Sequence, residues 1–181
     1  MYFVSAAGAA VLVFSVRAFP FSHITLPFVI VGLATVLLGP RLSIPIPHVK
    51  AHISVSDTFI FLTLLLFGGE AAIVLATAEA ICSSLRITKK LRIYAFNAGA
   101  TACSTFITVW SLRILFGETV SWHDPYSTNH LVAISAMAII QYGTNSLLVA
   151  TSVALKAEAS VWTTWRKNFL WTSITDRKSV V

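Results

Sequence analysis

Charge is what this sequence has least of. Seven acidic and thirteen basic residues make up only 11% of its 181 residues, where a soluble domain carries about a quarter. That scarcity, with a mean hydropathy of +0.80 and 56% hydrophobic residues, excludes an ordinary water-soluble surface. Cysteine is nearly absent too: Cys82 and Cys103 each sit inside an apolar segment, far apart, so no disulfide framework is implied and both read as small buried residues. There is no glycine-rich phosphate loop and no Ser-His-Asp arrangement, so nothing here supplies a nucleotide site or a nucleophile, and this stretch is not expected to be an enzyme. The net charge of +6 does not form a basic face interleaved with aromatics, because Lys and Arg fall between apolar runs; nucleic acid is not an expected partner.

What the sequence does have is long apolar runs, over about Tyr2–Val16, Ile24–Leu38, Thr58–Leu85, Ile93–Phe116 and His130–Leu155. Runs of this length point to the lipid bilayer as the main solvent. The first could pass for a signal-peptide core, but no Lys or Arg precedes it and further runs follow, so it reads as a first, incomplete transmembrane helix. The fold expected is an all-α, polytopic transmembrane bundle of about six spans, including a short or broken helix near 58–68. Near Trp162 and Trp165, with Trp171 beyond, the basic pair Arg166-Lys167 lies in an aromatic belt at the approach to a further, truncated span.

The short loops set an orientation. Arg86, Lys89, Lys90 and Arg92 cluster between two runs, whereas the loop Gly117–Asn129 holds Glu118 and Asp124 and no Lys or Arg. The first is expected inside and the second outside. The connector LSIPIPHVKAHISVSD, with Pro45 and Pro47, alternates apolar and polar residues from Val49 to Val55 and reads as extended or re-entrant. Ser56 and Asp57 are placed to cap a helix starting at Thr58.

Thr58–Leu85 would be about 42 Å long as one helix, more than the roughly 30 Å hydrocarbon core but short enough to be tilted. If the chain instead reverses at Gly68-Gly69, Arg41 and Lys50 move inside and only Arg17 stays outside. Positive-inside counting favours reversal by one basic residue. Glu70 would then mark an interfacial turn. Glu79 lies deeper, where a charge costs about 2.5–3.5 kcal/mol on insertion scales. Glu79 should therefore face the bundle interior. Polar residues within the apolar runs could meet it there: Asn97, Thr101, Gln141 and Asn145, with Arg113 nearer a helix end. Gln141 and Asn145 are four apart and share a face. Glu79, Asn97, Gln141 and Asn145 are thus the candidate ligand-binding set, against the alternative that they only bond helices together.

Other patterns carry less. FGGEA echoes the GGDEF signature but lies between apolar runs, with no soluble hairpin around it. His48 and His52 are four apart without a third ligand at suitable spacing, and His123-Asp124-Pro125 reads as a turn, so no metal and no cofactor are expected. Gly99, Ala102 and Cys103 should let another helix approach. The last six residues, DRKSVV, match the read-through of a sequencing adapter; residues 1–175 are taken as one native, C-terminally incomplete integral membrane domain and 176–181 as foreign.

The order of a Pro-broken connector, HISVSDTFIFLTLLLFGGEAAIVLATAEAICSSLR, a basic loop, two spans and WTTWRKNFLWTSIT resembles the N-terminal multi-helix membrane sensor (MASE-like) regions of bacterial signalling proteins. Such regions precede GGDEF, EAL, HD-GYP or histidine-kinase output domains. The resemblance implies an input module of about eight spans with the last two and the cytoplasmic output domain missing, an inside N-terminus, and action as a homodimer. The same short helix, glycine break and small-residue helix is also similar to the substrate-binding membrane subunits of energy-coupling vitamin transporters.

Overall fold

The computed structural model describes residues 2–19, 24–38, 44–45, 52–53, 55–87, 90–117 and 128–166. Seven helices carry nearly all of them: α1 (Tyr2–Ala18), α2 (Leu26–Leu38), α3 (Val55–Phe67), α4 (Gly69–Ile87), α5 (Leu91–Phe116), α6 (Thr128–Ala157) and the short α7 (Val161–Trp165). Between α2 and α3, the strands β1 (Ile44–Pro45) and β2 (His52–Ile53) pair antiparallel, Ile44 opposite Ile53. Among the described residues of the connector these four are extended, and the helix that follows starts earlier than the sequence suggests. Because α3 begins at Val55, Ser56 and Asp57 lie inside its first turn and do not precede it as caps. Asp57 there still meets the positive end of the helix dipole.

The run from Thr58 to Leu85 is two helices folded against each other. Ile60 packs in one cluster with Ala72 and Ala76, with Leu64 against them; a continuous helix would carry Ala72 and Ala76 about 18 and 24 Å away from Ile60. The reversal is made at Gly68, whose φ of +91° suits a residue without Cβ. Its neighbour Gly69 is required for a different reason, since a Cβ there would overlap the Val109 side chain of α5. One glycine turns the chain and the next lets α5 close in.

Pairwise contacts fix the directions of the other helices. Ser84 meets Asn97 and Glu70 meets Arg113, so α4 and α5 are antiparallel. Gln141 bonds Thr108 while Ala133 and Ile134 face Leu112, so α5 and α6 are antiparallel as well. Tyr2 lies under Arg92, Gly8 touches Gly99 and Phe14 meets Phe106, so α1 and α5 run parallel. Phe28, early in α2, packs edge-on against Phe67 at the end of α3 with ring centroids 5.2 Å apart, making that pair antiparallel. From α1 to α6 the direction therefore alternates at each step. α7 turns back along α6, where Trp165 Nε1 donates to Ser146 Oγ at 2.9 Å.

This alternation gathers the exposed cations Arg86, Lys90, Arg92 and Lys156 at one end of the bundle, while the exposed Arg17, in the last turn of α1, lies toward the other. Lys89 and Lys167, read with them as anchors, lie outside the described residues, as do His48, His123, Asp124, Trp171 and residues 176–181. Trp162 and Trp165 stack on α7 with centroids 5.3 Å apart.

The packing is built from small residues. Buried apolar positions include nine alanines (71, 72, 76, 80, 100, 102, 133, 150 and 154), while Phe3, Leu26, Ile30, Ile114, Leu131 and Ile139 are all more than half exposed. A few larger side chains, Ile60, Ile73, Phe96 and Met137 among them, are buried with the alanines, and interior hydroxyls bond backward along their own helices: Thr35 to the Val31 carbonyl, Thr63 to Phe59 and Thr77 to Ile73. Among the described residues two helices, Leu91–Phe116 and Leu131–Ala157, are long and apolar enough to cross a membrane. At 13 residues each, α2 and α3 reach about 20 Å, short of a full hydrocarbon thickness.

Candidate functional site at the glycine break

α4 is the buried axis of the bundle, and its first residues sit on the chain reversal. That places Glu70 in its first turn, where the exposed backbone N–H groups favour a carboxylate. α5 runs back alongside and brings Arg113, in its last turn, to the same level. Arg113 Nη2 donates to Glu70 Oε1 at 2.8 Å, with the two side chains 29% and 21% exposed. The guanidinium also lies 5.6 Å from the Trp110 ring centroid, a cation–π distance. The pair clamps the end of α5 to the start of α4 and neutralises an arginine at the end opposite the cluster of exposed cations.

Behind this pair lies a cavity of about 130 Å³. Its walls are Leu64 of α3, Val109 and Leu112 of α5, and Ile134 and Met137 of α6; Arg113 is its one charged lining residue. Met137, 1% exposed, closes it on the inner side. One turn further in from Met137, Gln141 is 7% exposed and anchors a polar cluster between α5 and α6. Its Nε2 donates to Thr105 Oγ1 at 3.2 Å and to Ser104 Oγ at 3.4 Å. The Thr108 hydroxyl, 2.8 Å from Gln141 Oε1 and 2.9 Å from the Ser104 carbonyl, has one proton to share between two acceptors. Every polar atom of the Gln141 amide is thus engaged, as burial requires.

The four residues expected to line one polar site are dispersed. Glu79 is buried on α4, 8% exposed, and is partnered there. Asn97 is nearer the cationic end, where its Nδ2 donates to Ser84 Oγ at 2.9 Å. Gln141 sits in the α5–α6 seam, and Asn145 is exposed on α6. The reason Asn145 leaves the interior is geometric. The buried stripe of α6 runs Ala133, Met137, Gln141 and then steps by five to Ser146, Ala150 and Ala154, because 3.6 residues per turn drifts against a strict spacing of four.

Sequence reasoning read Glu70 as a turn marker and Arg113 only as a residue near a helix end. Their pairing across 43 positions had one available signal: each is the lone charge in its part of an apolar run, at ends that an antiparallel hairpin superimposes. Ser104, Thr105 and Thr108 gave less warning, since hydroxyls in such segments read as packing. No protein-family model matches this chain, nor does any curated protein or solved structure.

Proposed function

We propose that this chain is a membrane-embedded input module of a bacterial signalling protein. In this reading α1 to α6 enter or cross the plasma membrane, the cationic end is cytoplasmic, and the cavity at the Glu70–Arg113 end faces outward. A signal received there would shift α6 and α7, which lead toward a cytoplasmic output domain of the cyclic-di-GMP or histidine-kinase kind. The observation carrying the proposal is the packing of six alternating helices with an interior rich in alanine and hydroxyl residues and with many large apolar side chains, Phe3, Leu26, Ile114, Leu131 and Ile139 among them, facing outward. Helices surrounded by lipid gain nothing by burying large aliphatic groups and associate through small ones. The exposed cations at one end supply the orientation.

Two experiments test it. With Cys82 and Cys103 replaced by Ala, single cysteines at Lys90 and Gly117 should react with an impermeant thiol reagent from opposite faces of the membrane, Gly117 from outside. Labelling of both from one face would sink the topology. With the chain fused ahead of a diguanylate cyclase domain, the double variant Glu70→Gln/Arg113→Met should change cyclic-di-GMP output at least twofold, and unchanged output would sink the sensing role. The cavity also suits the second reading, a substrate-capturing subunit of an energy-coupling transporter. That reading requires substrate uptake dependent on an ATPase partner, which an input module does not show.

A further inference from the structure

The cavity behind Arg113 has a definite size and a definite polarity. At about 130 Å³ it is close to the roughly 150 Å³ apolar cavity that accepts benzene in another protein. The cavity is partly open and Gly68, Gly69 and Gly117 add backbone to its lining, but Leu64, Val109, Leu112, Ile134 and Met137 offer no hydrogen-bonding side chain, so the part of a ligand lying among them must be apolar. The Arg113 end differs. Its guanidinium carries five N–H groups, and Nη2 is the one bonded to Glu70. Donors therefore remain at the one charged lining residue, and at 29% exposure that end is reached from outside.

Net charge decides between ligand classes. Glu70 already neutralises Arg113, so an anion arriving at the guanidinium would share it with a carboxylate at hydrogen-bond range, and like charges that close disfavour binding. A cation finds no acceptor among the lining side chains named. An uncharged acceptor oxygen has neither difficulty: it takes a charge-assisted hydrogen bond and leaves the ion pair intact.

From this we infer that the cavity binds a small uncharged molecule of benzene-like bulk carrying one carbonyl oxygen, with the ring among Leu64, Leu112 and Met137 and the oxygen accepting from Arg113. Aromatic and branched aliphatic ketones and amides belong to this class. The inference rests on the reading of this cavity as the receptive site of the module.

The test uses the full chain in lipid nanodiscs, with equilibrium dialysis of acetophenone, toluene and benzoate and with empty nanodiscs subtracted. Acetophenone should bind saturably, and benzoate at least fivefold more weakly. The variant Arg113→Met/Glu70→Gln removes both charges together. It should weaken acetophenone about tenfold, the worth of one hydrogen bond to a charged donor, while toluene changes less than twofold. Filling the space with Ala133→Leu, or with Leu112→Phe should the first variant fail to give a monodisperse helical protein, should abolish saturable binding of both. Equal binding of acetophenone by wild type and the double-charge variant would overturn the hydrogen bond. Tighter binding of benzoate would overturn the uncharged class, and binding that survives both filling variants would overturn the site. Saturable acetophenone binding that leaves the cyclase fusion unresponsive overturns the sensing role and not this inference; a responsive fusion without saturable binding does the reverse.

Discussion

α5 and α6 have nearly the same mean hydropathy over their most apolar stretches, 1.3 and 1.4, yet 39% of the α5 stretch is buried against 22% of the α6 stretch. Hydropathy measures how willingly a helix leaves water, and on that scale the two are equivalent. What separates them is the size of the side chains. α5 buries Gly99, Ala100, Ala102, Ser104, Thr105 and Thr108 and so admits α1, α4 and α6 around it. α6 buries one stripe and turns Leu131, Ile139, Tyr142 and Leu147 outward. Small residues distributed around a helix make it central, and a single stripe of them makes it peripheral.

The same glycine substitution in each helix should break this comparison most sharply. A Cβ at Gly99 would lie 2.7 Å from the Val4 carbonyl oxygen and 2.9 Å from Ser5 Cα, both backbone atoms that cannot move aside without shifting α1. Gly143 in α6 has nothing within 4 Å. Gly99→Leu is therefore expected to cost about 3 kcal/mol or more, at the upper end of overpacking penalties, and Gly143→Leu next to nothing. Detergent-induced unfolding followed by circular dichroism measures both. Equal stabilities would mean that α5 is no more central than α6.

Next in size is a charge on the outward face of α6. Ile139 is 71% exposed, so in water Ile139→Asp would be harmless. If that face meets lipid, the aspartate costs about 2.5–3.5 kcal/mol on insertion scales, and the fraction of inserted protein should fall correspondingly in a microsomal insertion assay. Undiminished insertion would remove the bilayer from the account of α6.

Much of the architecture could be read in advance. Every run found by composition is helical, the Thr58–Leu85 run as two helices, since apolar length is a strong signal. The break at Gly68-Gly69 was readable because two glycines beside a glutamate are costly mid-helix and cheap at a turn. The interior of the site was not. Asn145 looked like a partner of Gln141 on spacing alone, and only the drift of the α6 stripe shows it leaving the interior. The Glu70–Arg113 contact depends on how α4 and α5 align, a register that no local pattern in either helix specifies.

A smaller effect is expected from Gln141→Leu. It removes the acceptor of one Thr108 contact and the donor to Thr105 and Ser104, but Thr108 keeps the Ser104 carbonyl as an alternative. Interhelical hydrogen bonds in membranes average about 0.6 kcal/mol and reach about 1.7, so a loss near 1 kcal/mol is expected. A loss of 3 kcal/mol would show that the seam between α5 and α6 depends on this side chain more than on the Ala133–Met137 packing beside it.

The smallest effect is assigned to the ion pair that gives the site its polarity. Both partners of Glu70–Arg113 are reached by solvent, at 21% and 29% exposure, and pairs of this kind contribute about 0.2–1 kcal/mol in double-mutant cycles. The cycle through Glu70→Gln, Arg113→Met and the double variant should return a coupling near 0.5 kcal/mol that shrinks on going from 0.01 to 1 M salt, as the Debye length falls from about 30 to 3 Å. The single change Arg113→Met should cost more than the coupling, because it also removes the guanidinium from the Trp110 ring. A coupling above about 2 kcal/mol that ignores salt would instead describe a pair sealed from water. The Arg113 end of the cavity would then be shut to ligands from outside, and α5 would be locked at both ends of its contact with α4, at Gly69 as well as at Ser84.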